Sequence, residues 1–387
     1  VNIVAALAVK RIMQRERIPG TIVLWPGVAE ELLSGKAWFV RDGRFKDVDA
    51  VLFTHVASNL GTSWGNPTGT GLISAEYTFE GVSSHSAVAP WRGRSALDAV
   101  ELMNTGWNFR REHLDPVQRS HYVIIDGGDQ PNVVPPTATV WYFVRELTAD
   151  MIRENFATLH RIAEGAALMT DTTMRRRVVG SAWPQHYNRP IALAMDENIK
   201  AVGLPAWSDD DQVFARALQK LLEVEEKGLA TELVGLRAPT GRTESSGSDD
   251  IGDVSWSVPT VTLRFPSNVD GMIPHHWSSA MAMATPVAHK GATSGAKVIA
   301  ATLLDLVQNA ELRDAAWRYY RDEQLQGTTY EPFIGPEDQP PIEKNAATMA
   351  EFKERLRVLY YDPSRHRTYL EQLGVDYPQL EKPAGGR

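Results

Sequence analysis

Two adjacent carboxylates, Glu30 and Glu31, stand a few residues past the β-forming run TIVLW at 21–25. In open α/β sheets ligands bind outside the carboxyl ends of strands, so a loop at that point is a place for chemistry. Adjacent carboxylates on a bent loop can face different ways. One can hold a metal ion while the other takes a proton from water bound to that metal. The plain alternative is a solvated acidic pair. His55 closes a second apolar run, 51–54, and would share the same rim. Neutral imidazole is a good zinc ligand, although a single histidine at a strand end is more commonly structural. His275 and His276 follow Ile273-Pro274, and His289 precedes Lys290-Gly291. Each could be a ligand; a surface loop or a helix cap would also account for them.

His85 lies in Gly81-Val82-Ser83-Ser84-His85-Ser86. A histidine among small polar residues can donate to a developing oxyanion. The cluster also admits a metal-independent hydrolase using Ser84 or Ser86, but there is no G-x-S-x-G elbow, and sequence adjacency is not triad geometry. Asp249, Asp250 and Asp253 place three carboxylates within five residues. That run lacks the later glutamate of a calcium loop. It is a polar loop unless it meets a cation or a network of donors. No P-loop and no G-x-G-x-x-G motif occurs, so nucleotide binding has no support. Arg175, Arg176 and Arg177 fall in a strand and would alternate between solvent and a dimer face.

The elements that would carry these residues alternate in type. Val1, Val4, Ala5, Ala8 and Ile12 follow helical spacing. A turn at Pro19-Gly20, a strand at 21–25, a short helix at 36–42 and a strand at 49–54 suggest a parallel α/β layer. From about residue 72 the pattern becomes β-α-β-β-α-β, with strands at 72–79, 121–126, 137–145 and 173–179. Its helices start behind Ser95 and Thr148. That order is the ferredoxin-like one. Helices at 195–202 and 210–223, a strand at 258–264 and an apolar helix at 294–306 return to the α/β style. Past 325 the chain is richer in proline, ends in one helix over 346–359, and has a frayed tail at 382–387.

A length of 387 residues predicts two or three domains. Net charge is −8, which argues against non-specific nucleic-acid binding. There is no cysteine, so a disulfide framework and a thiol nucleophile are excluded within the chain. No run approaches the roughly 18 apolar residues of a membrane span. Residues 1–9 are apolar, with the basic residues after them, the reverse of a secretory signal; a cytoplasmic location is expected. A helix this apolar at residue 1 suggests the interior of a longer domain.

Taken together, the stretches GTIVLWPGVAEE, VDAVLFTH, FEGVSSHSAVAPWRGRSALDAVELMN, GGDQPNVVPPTATVWYFVRE, GSDDIGDVSW and PHHWSSAMAMATPVAHKG resemble the aminoacylase-like metallopeptidase family. The resemblance runs from residue 1 to about 342. It implies an α/β catalytic domain with a mixed or parallel sheet, in two parts at 1–71 and 184–325. An inserted ferredoxin-like α+β lid and dimerisation domain at 72–183 would divide them, with a C-terminal extension at 326–387. It implies a di-metal amidohydrolase, usually with zinc, cleaving the amide of an N-acyl amino acid or p-aminobenzoyl-glutamate-like substrate. Glu30 would be the general base, and Glu31, His55 and His275 metal ligands, with His276 and His289 as substitutes for the last. His85 would be the lid histidine that reaches a neighbouring subunit's site and steadies the oxyanion. Asn132 and Arg145 would hold a substrate carboxylate, and Asp250 and Asp253 would support the ligands. A homodimer through the lid is expected, with no nucleic-acid or membrane partner. The family's Cys-Gly-His motif, which supplies two ligands, is absent. That absence raises the alternative of a truncated, catalytically impaired homologue acting as a binding or partner subunit.

Overall fold

The computed structural model describes residues 1–33, 35–66, 69–239 and 247–379. The tail expected to fray at 382–387 lies outside them. Helix α1 (Asn2–Glu16) opens the chain, then α2 (Lys36–Arg41), β1 (Val51–Ala57), β2 (Gly61–Ser63) and β3 (Gly71–Glu80). Next come α3 (Ala96–Arg111), β4 (Arg119–Asp126), β5 (Thr137–Glu146), α4 (Ala149–Thr170) and β6 (Thr173–Ala182). The remainder holds α5 (Arg189–Val202), α6 (Asp209–Leu221), β7 (Gly235–Arg237), α7 (Ile251–Ser255), β8 (Thr260–Pro266), α8 (Trp277–Met283), α9 (Pro286–Gln308) and α10 (Ala310–Tyr319). Two further helices, α11 (Ala346–Arg357) and α12 (Tyr369–Leu373), close it.

Among the described residues the strands form two four-stranded sheets. The first has order β1-β8-β2-β7, with β1 parallel to β8, β2 antiparallel to β8 and β7 parallel to β2. This layer is therefore mixed rather than wholly parallel. Its core joins Leu60, Val261 and Leu263 to Ile191, Met195 and Ile199 of α5 and to Val298, Ile299 and Leu306 of α9. The second sheet, β4-β5-β3-β6, is antiparallel throughout. Burial alternates strictly along β5, as it must when one face meets a core and the other does not. Tyr77, Phe79, Val140, Tyr142 and Val144 of that face pack on Val100, Met103 and Trp107 of α3 and on Leu159 and Ala163 of α4. The Trp107 indole N–H donates to Ser120 Oγ at 2.7 Å, so its one polar atom is satisfied inside the core. Ser95 and Thr148 cap α3 and α4 by accepting from the backbone N–H groups of Asp98 and Met151.

Two expectations need correction. Residues 21–25 form no strand; Val23, Leu24 and Trp25 are exposed. These residues and β1 line a cavity of about 800 Å³, and β1 is the sheet's edge. β-forming composition without a hydrogen-bonded neighbour does not make a strand. In α1 the buried stripe is Ala5, Val9 and Met13, while Val4 and Ala8 face out. The helix meets α9 along a narrow i, i+4 line, so only one row is covered. No helix among the described residues is long and apolar enough to cross a membrane.

Candidate active site at the rim of the mixed sheet

Glu30 and Glu31 lie in a single 3₁₀ turn, Glu30–Leu32, entered by Ala29 (φ 53°) and left by Leu33 (φ 52°), both left-handed. The turn is fastened to the second sheet: Ser181 N–H donates to the Leu33 carbonyl at 3.0 Å. Gly180 of β6 lies so close to the Leu32 and Leu33 carbonyls that a Cβ there would collide with them.

Glu30 is half-buried and has Asp249 and Asp250 beside it; oxygens of all three lie within 4.8 Å of one another. Burial first, then the charges of Asp249, Asp250 and Glu31, push its carboxyl up to about 7 against the pull of Lys36. Asp250 is fully buried and ion-paired with Lys36, whose backbone N–H also donates to Asp250 Oδ2 at 3.2 Å. Even so its carboxyl is pushed up to about 6, because burial outweighs the ammonium. Asp249 Oδ1 accepts from Ile251 N–H at 3.1 Å. Asp253, fully buried, accepts from Trp183 N–H at 3.1 Å and from the Tyr330 hydroxyl at 2.8 Å; burial pushes its carboxyl up to about 7.

Of the three expected metal ligands, the fold brings two together across 244 positions: Glu31 Oε2 lies 3.7 Å from His275 Nε2, both side chains exposed. His55 does not join them. Among the described residues the group of three convergent donors is Glu30, Asp249 and Asp250, and Glu31, His55 and His275 do not form one. His55 Nδ1 is 2.7 Å from the Val56 carbonyl oxygen. A carbonyl only accepts, so this contact calls for the proton on Nδ1. Arg264 Nη1 crowds the same Nδ1 at 3.2 Å. His276 precedes α8, with Nδ1 2.9 Å from Ser278 Oγ. His289 lies in the opening turn of α9, which starts earlier than its sequence suggested.

His85 stands on the second unit, the part of the chain built around the antiparallel sheet with α3 and α4, and is bridged to Val133. Its Nδ1 accepts from Ala87 N–H at 3.2 Å and Val88 N–H at 3.3 Å, which leaves Nε2–H as a free-facing donor. Ser84 Oγ donates to the Ala89 carbonyl at 2.6 Å rather than to His85, which counts against a serine nucleophile there. Asn132 is adjacent, its carbonyl accepting from Ser86 N–H at 3.0 Å. Arg145 is not. It lies at the far end of β5, about 27 Å from Thr137 at 3.4 Å per residue. Asn132 and Arg145 of one chain therefore cannot grip one carboxylate. Burial lowers the Arg145 pKa, and among the described residues its Nε has no hydrogen-bond partner.

Sequence reasoning passed over Lys36 and Tyr330, which carried no local signal; the density of carboxylates at 249–253 was the visible mark of the acidic cluster. That cluster suits a hard divalent cation, since three carboxylates face one lysine. The Glu31–His275 pair is of zinc type but supplies only two of the three protein ligands that catalytic zinc takes.

A model of the peptidase dimerisation domain matches residues 69–168. The chain is 33% identical over 356 residues to the B-type polypeptide of Escherichia coli p-aminobenzoyl-glutamate hydrolase, covering 86% of this chain and 73% of that protein. It is 25% identical over 338 residues to a mouse Xaa-Arg dipeptidase, covering 85% and 70%. The fold is similar to the crystal structure of an aminobenzoyl-glutamate utilization protein from Klebsiella pneumoniae, with a TM-score of 0.54 at 17% identity, over 79% of this chain and 66% of that one. With a third of its residues shared with the bacterial hydrolase polypeptide over most of its length, the chain belongs to the aminoacylase-like M20 metallopeptidase family, in the branch formed by the B-type polypeptides of p-aminobenzoyl-glutamate hydrolase.

Proposed function

We propose that the protein hydrolyses the amide bond of an N-acyl amino acid or p-aminobenzoyl-glutamate-like substrate at the Glu30–Glu31 rim. Membership of a hydrolase family supports hydrolase activity in general. The observation that carries the residue-level reading is the half-buried Glu30 carboxyl, held within 4.8 Å of the Asp249 and Asp250 carboxylates; burial and those charges raise its pKa, which suits a group that accepts and returns a proton. In this reading Glu30 takes a proton from the attacking water and delivers it to the leaving amine. A divalent cation, zinc by family habit, would be held by Glu31 and His275, which supply two of its ligands, and when bound would supply Lewis acidity; His55 stands apart from that pair. Lys36 keeps Asp250 ionised and fixed beside Glu30.

The second unit completes the reading. The β6 edge is met by Glu343 through Arg177, while no strand of the described residues pairs with the outer edge of β4, where Val123, Ile124 and Ile125 are exposed. An open apolar edge invites pairing with another chain, so we assign β4 as the homodimer contact. A second copy would present the His85 Nε2–H to the oxyanion, and Asn132 and Arg145 would reach a substrate carboxylate from different copies. The second reading is an impaired homologue serving as a binding or partner subunit. It draws on one observation, the separation of His55 from Glu31 and His275.

The test is amine release from p-aminobenzoyl-glutamate and a set of N-acyl amino acids, with zinc, manganese or chelator. Turnover that needs added cation supports hydrolysis at this rim. Binding without turnover in any cation favours the second reading.

A further inference from the structure

The chain enters the second unit at Gly71 and leaves it at Trp183. The two crossings run side by side, since a Cβ on Gly71 would meet the Ala182 carbonyl and the Pro184 ring. Two adjacent crossings form a hinge, about which a body can rock unless something ties it elsewhere. Beside the hinge itself Leu33 meets Ser181; farther out, residues 330–344 make that tie. On the catalytic layer, the Tyr330 hydroxyl donates to Asp253 at 2.8 Å, and Arg41 Nη1 donates to the carbonyls of Gly335 and Asp338 at 3.0 and 2.7 Å. At the hinge, Trp183 Nε1 donates to the Glu331 carbonyl at 2.8 Å, and its ring stacks on Phe333 at 5.6 Å. Ile334, buried, packs with Trp38 of α2 and with Ile73, Ile152 and Val178 of the second unit. Beyond it, Glu343 pairs with Arg177 at 2.5 Å, and Lys344 pairs with Glu76 while lying 4.0 Å over the Trp141 ring. Glu76 is five residues along β3 from Gly71, a lever arm of about 17 Å at 3.4 Å per residue.

We propose that residues 330–344 are a strap that sets the angle of the second unit against the catalytic layer, with Tyr330 as a positioning residue for the acidic loop through Asp253. The strap holds the hinge, the far side of the lever and the loop carrying Asp249 and Asp250 in one register. Its consequence for turnover rests on the hydrolase reading; the mechanical claim does not.

The absence of native cysteine makes labelling direct. Lys10→Cys on α1 and Glu101→Cys on α3, both exposed, take spin labels on the two bodies. With the labelled chain diluted in excess unlabelled chain, so that only distances within one copy are read, double electron–electron resonance should give one narrow distance distribution in the parent. In the Glu343→Ala/Lys344→Met background the distribution should at least double in width or move; an unchanged distribution overturns the strap. Methionine keeps the aliphatic cover on Trp141, and a melting curve confirms that the variant is folded. Tyr330→Phe should leave the distance distribution alone but speed amide exchange in α7 about tenfold, as expected for losing one buried hydrogen bond. Unaltered exchange in α7 overturns the positioning role of Tyr330. Neither readout depends on catalysis, so a failed strap and a failed hydrolase assignment are told apart.

Discussion

The Lys36–Asp250 pair gives the sharpest energetic prediction. Lys36 is 12% exposed and Asp250 not at all, so the pair sits largely out of water. Beside an ammonium a carboxyl ordinarily goes down; Asp250 goes up to about 6, so desolvation exceeds attraction here. Such a pair adds little net stability, yet removing one member strands the other. Coulomb's law at about 4 Å and an effective dielectric of 20 gives about 4 kcal/mol. Measured one-sided losses in buried pairs run at about 3–5 kcal/mol. Lys36→Met, which keeps the packing against Phe53, should therefore lose about 3–5 kcal/mol. Lys36→Met/Asp250→Asn should recover most of that loss. The assay is urea unfolding in chelator at pH 7.5, completed as a double-mutant cycle. Additive single-variant losses, with a coupling below about 0.5 kcal/mol, would show that the two charges do not act as a unit and would refute the argument.

Three further outcomes follow from other parts of the molecule. His186, packed between Trp256 and Tyr319, is pushed by burial down to about 4. The unfolded chain, titrating near 6.5, takes the proton first, so stability is full above that value and declines as pH falls toward 4. The loss should reach about 3 kcal/mol; His186→Phe should flatten that slope, and an equally steep slope in the variant would assign it elsewhere. Ile125→Lys on the open β4 edge should convert a dimer to monomer in sedimentation velocity, whereas an undisturbed dimer would move the interface off β4. Glu31→Ala and His275→Ala should each weaken zinc binding at least tenfold by calorimetry, and unaltered affinity in both would remove that pair from the cation site.

How much could be read without coordinates depended on how local the cause was. The second unit was legible because an antiparallel sheet with one buried face writes strict alternation into β5, and Ser95 and Thr148 mark where its helices begin. Residues 21–25 carried the same β-branched signal without the result, since composition does not reveal whether a neighbouring strand is there to pair. β2 and β7, three residues each, are too short to carry any period. At the site, the Glu30-Glu31 dipeptide was visible as a type of chemistry. Lys36 and Asp250, 214 positions apart, met only through folding. The approach of Glu31 to His275 was anticipated through family resemblance, and no local pattern would have supplied it. The resemblance gave no warning that Arg145 stands at the end of β5 far from Asn132.

In the proposed hydrolysis everything turns on Glu30 moving the proton. The direct measurement is steady-state turnover of p-aminobenzoyl-glutamate by Glu30→Ala beside wild type, with zinc content determined on the same samples. With Glu30 as the base, kcat should fall by about 10²–10⁴ while metal content stays unchanged; a variant that keeps most of its rate would take that role from Glu30.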